Sequence, residues 1–197
     1  MRPPFDPFDD AGRDLSIPLD KANLYGLALM VPTGVLLALP YLVLWSSRAF
    51  GQAWHAAFDN LPLALGVLVA GILLHELIHG VTWTFFGKKP RRAITYGFQL
   101  KTLTPYAHCK EPMDVRAYRL GAAMPGVLLG ILPWLGGIAT ANGPAFVFGF
   151  IFTLAALGDA MILWLLHGVL PGTQVIDHPI QAGCYVVEPE SIDRSNG

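Results

Sequence analysis

Hydrophobic residues in this 197-residue chain gather in four long runs rather than in short amphipathic stretches. The runs cover about Leu24 to Trp45, Leu61 to Phe86, Leu120 to Thr140 and Ala145 to Leu170. A helix needs ~20 apolar residues to cross a hydrocarbon core ~30 Å thick. In lipid such a helix satisfies its own backbone hydrogen bonds, which an open loop cannot do. The pattern predicts an all-α membrane protein of four transmembrane helices, forming one domain over residues 21–170. Pro32, Pro40, Pro125 and Pro133 fall inside the runs, where membrane helices tolerate them as kinks. Gly126 and Gly130, with Gly136-Gly137 beyond, supply small residues at a spacing that lets helices approach closely.

Between the second and third runs the pattern changes. Ile94, Tyr96, Phe98 and Leu100 alternate with Thr95, Gly97, Gln99 and Lys101, the period of a strand with one apolar face. A second short strand is expected around Thr104 to Cys109, giving a β-hairpin-like segment inside the connection 87–119. Residues 1–20, rich in Pro and Asp, read as a mostly irregular N-terminal tail without the marks of a signal peptide. Residues 171–197 read as a second tail with a strand-like run from Cys184 to Val187 and a disordered end from Asp193.

Composition agrees with lipid as the main solvent. Apolar residues make up 53%, charged residues 14%, and mean hydropathy is +0.48, against ~25% charged residues in soluble domains. A net charge of -1 excludes the basic field that nucleic-acid binding requires. The charges are unevenly placed. Segment 87–119 carries eight Lys or Arg, whereas residues 46–60 carry only Arg48 and the turn after the third run carries none. The positive-inside rule then puts 87–119 in the cytoplasm, and four crossings put both termini there too. The expected setting is a multi-pass protein of a prokaryotic plasma membrane. The two cysteines, Cys109 and Cys184, lack metal spacing and read as ordinary reduced thiols.

The chemistry concentrates in the second run, which contains His75-Glu76-Leu77-Ile78-His79. Histidines four apart share one helix face, the spacing for two imidazoles on one metal ion, with Glu76 placed to act as a base. Such a short pattern also arises by chance, or as a satisfied polar cluster. Within a membrane an unpartnered ionisable group costs roughly 2.5–3.5 kcal/mol on insertion scales, so a divalent cation is the more economical partner. Asp159 is the only acidic residue of the fourth run. His75 lies 11 residues before Phe86, and Asp159 lies 11 residues before Leu170. At 1.5 Å per residue both sit roughly 16 Å from the same ends of parallel helices. Asp159 is therefore a candidate third ligand, with a structural, hydroxyl-bonded Asp as the alternative. Two His and one carboxylate make an open, catalytic type of zinc site. His167, nearer the end of the run, and His108, beside Cys109, are weaker candidates. His55 falls on the opposite side, and His178 would have to fold back over the site.

These residues resemble those of the zincin peptidases, a family of small integral membrane proteins. The resemblance rests on His75 to Gly80, on Cys109-Lys110-Glu111-Pro112-Met113, on Tyr118 to Pro125 and on Asp159, and it covers roughly residues 60–187. The site-2 proteases are a more distant analogy. Their later Asn-x-x-Pro and Asp-Gly motifs are not reproduced, because Ala122 precedes Pro125 by three and Ala160 follows Asp159. The resemblance implies a membrane-embedded zinc metallopeptidase with Zn2+ on His75, His79 and Asp159 and with Glu76 as general base. Its substrate would be a membrane protein or peptide. The strand carrying Tyr96 and Phe98 could pair with an extended substrate segment by β-augmentation. A non-catalytic zinc-binding scaffold and a zinc hydrolase of a lipid-like substrate stand as alternatives.

Overall fold

The computed structural model describes residues 11–99 and 104–187. The molecule is mostly helical, with two small antiparallel sheets at one end. In chain order the elements are β1 (Ala11–Ile17), α1 (Leu19–Phe58), α2 (Leu61–Phe86), β2 (Ile94–Gln99), β3 (Thr104–Cys109), β4 (Met113–Asp114), α3 (Val115–Pro125), α4 (Leu132–Thr140), α5 (Gly143–Ala155), α6 (Leu157–Leu165), β5 (Gln174–Asp177) and β6 (Ala182–Val187). A π-helical turn, Gly126–Ile131, joins α3 to α4. Among the described residues α1, α2 and the continuous stretch Val115–Thr140 are each long and apolar enough to cross a membrane. The pair α5 and α6, bent by 42°, is long enough together.

Three departures from the expected layout have local causes. First, helix continues where a loop was expected at 46–60. Ser46 leaves helical geometry at φ 88°, and residues beyond it resume the helix as a short second leg. There Phe50, Ala53, Trp54, Ala57 and Phe58 recur at helical spacing and pack on Tyr41, Phe146 and Phe150. An amphipathic stripe, not a long apolar run, built this leg.

Second, the fourth run is not one helix. It breaks at Ala156 (φ -78°, ψ 6°), and α6 ends at Leu165. The break puts Asp159 in the first turn of α6, where the positive end of the helix dipole favours an anion. Third, the tails are not merely irregular. β1 pairs with β6, β6 with β5, and β5 with β4, so residues from both ends and from the central connection share one four-stranded sheet. Gly183 makes that pairing possible: its φ is +134°, and a Cβ there would meet the Leu15 carbonyl oxygen at 2.2 Å. The N-terminal strand has no clean alternation of its own, which is why its pairing was not visible in the pattern.

The expected hairpin is present. β2 and β3 pair in register from Ile94↔Cys109 to Gln99↔Thr104. Leu100, Lys101 and the outermost tails lie outside the described residues. The hairpin packs on α2 where Gly80 offers no side chain, so the Tyr96 hydroxyl and Ile94 settle against its backbone. The small residues of the third run act as expected: Gly130 and Gly137 sit directly against α5, beside Thr153 and Phe146.

Candidate metal centre

The deeper half of α2 carries the site. His75 and His79 are both buried, one turn apart, with ring centroids 4.9 Å apart. Across from them stands Asp159 of α6. Its Oδ2 lies 3.1 Å from His75 Nε2, and its Oδ1 lies 3.4 Å from His79 Nε2. One ligand atom from each of the three residues can be chosen with all mutual distances within 4.8 Å. The residue singled out by depth in the sequence is the one the fold sets beside the two histidines, although the helix bearing Asp159 follows a bend rather than continuing straight.

The arrangement suits a metal ion. The His79 Nδ1–H donates to the Gly121 carbonyl at 2.9 Å, which leaves Nε2 with its lone pair turned toward Asp159. This is the outer hydrogen bond that orients a histidine ligand and selects its tautomer. Trp83 then stacks on His79 (5.5 Å, 21°), and Tyr118 stacks on Trp83 (5.7 Å, 21°). Two imidazole nitrogens and a carboxylate, converging in a buried place, form a donor set for zinc with room for a fourth ligand. Without an ion, the three ionisable ends that converge here would have chiefly one another as partners in an apolar interior.

Glu76 faces the same space, and the backbone of Ala107 on β3 lies beside its carboxylate. The site opens into a cavity of about 900 Å3. Its inner wall is apolar, with Ile72, Phe152, Ala155 and Ile162; its outer wall is formed by the hairpin and by the β5–β6 turn. Phe98 lines the cavity. Tyr96 does not appear on its wall and instead lays its hydroxyl on Gly80.

The remaining histidines sort by position. His108 lines the cavity, and so does His178 in the turn after β5. His178 is spent within its own turn, where its Nδ1 accepts from the Ile180 and Gln181 amides at 3.1 and 2.9 Å. His167 is exposed and bonds the Trp164 carbonyl at 2.5 Å. His55 sits exposed on the second leg of α1.

Sequence reasoning missed four contributors: Trp83, Gly121, Tyr118 and Asp177. Trp83 is four residues past His79, so the helical repeat that found the histidines would have placed it on the same face. Nothing in the pattern marked Gly121, whose contribution is a backbone carbonyl. Tyr118 donates to Asp177 Oδ1 at 2.5 Å, a pairing across 59 residues that no local signal carries.

A buried two-histidine, one-carboxylate cluster with an adjacent Glu, set among helices long enough to cross a membrane, defines a membrane metallopeptidase-like protein. The chain belongs to the family described as "Putative zincin peptidase", whose sequence profile matches residues 68–171, just over half of its length. Membership of that family implies a zinc cofactor and supports assignment of the chain to the zinc metalloproteases of the zincin type. No curated protein and no solved structure matches the chain.

Proposed function

We propose that the protein is a membrane-embedded peptidase that hydrolyses a peptide bond in or near the bilayer, with zinc held by His75, His79 and Asp159. The observation that carries the reading is the convergence of these three side chains beside Glu76 on the wall of one cavity. When bound, zinc supplies a nucleophile at neutral pH and polarises a carbonyl. Glu76 accepts the proton of the attacking nucleophile and passes it to the leaving amine. His79 keeps its tautomer through Gly121, and Trp83 keeps its ring plane. A structural metal site would have no use for an acid in the position of Glu76, which argues against a scaffold role.

The cavity suits an extended chain. Pro105 to His108 of β3 line it, so a substrate segment drawn out of helical form would run beside β3 and bring its scissile carbonyl to Glu76. The apolar inner wall matches a substrate drawn from a membrane segment. On this reading the basic connection and the sheet lie in the cytoplasm, with the bent pair α5 and α6 counted as the fourth crossing. The pairing of β1 with β6 supports this, since it holds both ends of the described chain on one side.

The test is cleavage of membrane-protein substrates by the purified, zinc-loaded protein, compared with Glu76→Ala. Wild-type cleavage that Glu76→Ala abolishes is the expected result. Equal cleavage by both would overturn the reading.

A further inference from the structure

A second polar cluster faces the same cavity, and the mechanism above makes no use of it. Asp177, at the end of β5, is 7% exposed. Both its oxygens accept: Oδ1 from the Tyr118 hydroxyl at 2.5 Å, and Oδ2 from the Cys109 amide at 2.6 Å. Donors on both oxygens suit a carboxylate rather than a neutral acid. Burial pushes its pKa up, while His108, Tyr118 and the Cys109 amide pull it back. His108 Nδ1 stands 3.7 Å from Oδ2, at ion-pair distance. His108 is part-buried and lines the cavity with Glu76, His75 and His79. With Nδ1 turned to Asp177, Nε2 is the ring nitrogen left for whatever occupies the cavity.

Peptide hydrolysis places negative charge on the scissile carbonyl oxygen, and a fixed donor aimed there is commonly a large part of catalysis. The metal cluster offers no free side-chain donor for that role. Glu76 and Asp159 are acceptors, both ligand histidines turn to Asp159, and the Tyr118 hydroxyl is already donated. Of the other donors on the cavity wall, Gln181 is engaged with His178 at 3.2 Å, the Trp83 N–H is given to the Tyr118 carbonyl, Thr95 and Tyr106 offer neutral hydroxyls, the latter on a ring laid over Gly97, and Lys110 is an exposed charge on a flexible stem. His108 is the one anchored by a buried anion.

We propose that His108, as the imidazolium paired with Asp177, is a further catalytic residue that donates a hydrogen bond from Nε2 to the carbonyl oxygen of the substrate as its charge develops. Asp177 is then a positioning residue, holding the ring through Nδ1. The proposal rests on the peptidase reading of the metal centre.

The experiment uses the full chain, zinc-loaded, in lipid nanodiscs, with two probes carrying the same apolar side chains. One is a phosphinic pseudo-dipeptide, a tetrahedral anion; the other is a hydroxamate, a zinc ligand without that tetrahedral centre. His108→Ala is expected to keep its zinc, to bind the hydroxamate within threefold of wild type, and to lose roughly 10²–10³-fold in phosphinate affinity, the scale of one lost oxyanion donor. On a peptide that wild type cleaves, kcat should fall by a similar factor with KM nearly unchanged. His108→Gln, which restores an N–H donor, should recover part of the loss and serves as the test if the alanine variant does not fold. Zinc-loaded His108→Ala that binds the phosphinate as wild type does overturns the proposal, and so does equal loss of both probes. In either case wild-type cleavage abolished by Glu76→Ala leaves the peptidase reading standing. Zinc-loaded wild type that binds neither probe and cleaves no peptide overturns both.

Discussion

Gly80 is the point where the hairpin rests on the helix that carries His75 and His79, and a single methyl group tests that contact. A Cβ at position 80 would lie 2.0 Å from the Tyr96 hydroxyl oxygen and 2.8 Å from both Tyr96 Cζ and Ile94 Cγ2. Ordinary contact begins at 3.4 Å, so the first overlap is 3.4 − 2.0, or about 1.4 Å, and the other two are about 0.6 Å. Rotating half-exposed Tyr96 relieves the contacts with its own ring but not the one with Ile94, which is buried. The hairpin must therefore shift. Overpacking of this size costs about 1–3 kcal/mol. Gly80→Ala should raise hydrogen exchange in β2 and β3, lower peptidase activity, and leave the zinc content intact, since His75 and His79 face Asp159. Ile94→Ala removes the overlap that rotation of Tyr96 leaves, so adding Gly80→Ala to Ile94→Ala should raise exchange in β2 and β3 by less than Gly80→Ala does in the wild-type chain, a coupling of the sort that double-mutant cycles detect. An equal increment from Gly80→Ala in both backgrounds would refute the reasoning. So would a single variant with unchanged exchange in β2 and β3.

Other outcomes follow from the same geometry. His75→Ala and His79→Ala should each abolish stoichiometric zinc, measured by metal analysis of the purified protein, whereas Glu76→Ala should retain it. Trp83→Ala removes a side chain that is 4% exposed and stacked between His79 and Tyr118. It should cost about 3–5 kcal/mol in unfolding free energy and weaken zinc roughly 10–100-fold through loss of ligand orientation, with Trp83→Phe closer to wild type on both counts. Burial pushes the Cys109 thiol to about 11 and the Cys184 thiol to about 12. At pH 8 the thiolate fraction of Cys109 is then about one in a thousand, so maleimide should label neither in the folded protein and both in denaturant. Because those pKa values are raised on folding, the associated stability persists below pH 9 and is lost as pH climbs through 11 and 12. Gly183→Ala should free β1 from β6, seen as faster amide exchange over residues 13–17.

The long apolar runs and the His-Glu-His turn are local facts. A stretch of 20 greasy residues has few fates, and residues four apart on a helix share a face in any tertiary setting. That is why the span-length helices, the alternating hairpin and the pairing of His75 with His79 on one helix face were legible in the chain alone. Asp159 was reachable for a related reason: in a bundle of near-parallel helices, depth is a one-dimensional coordinate that residue counting approximates. The rest depended on contacts between distant segments. Ser46 turns α1 back because Phe50 and Trp54 find α5, and the break at Ala156 tilts Asp159 toward α2. The ends of the described chain meet in a sheet through Leu15 and Gly183. Asp177 gathers Tyr118, Cys109 and His108 from two other segments. No periodicity encodes such meetings, because a hydrogen bond across 59 or 68 residues leaves no repeat behind. The sequence by itself determined which residues could bind the metal, and only the tertiary packing decided what surrounds it.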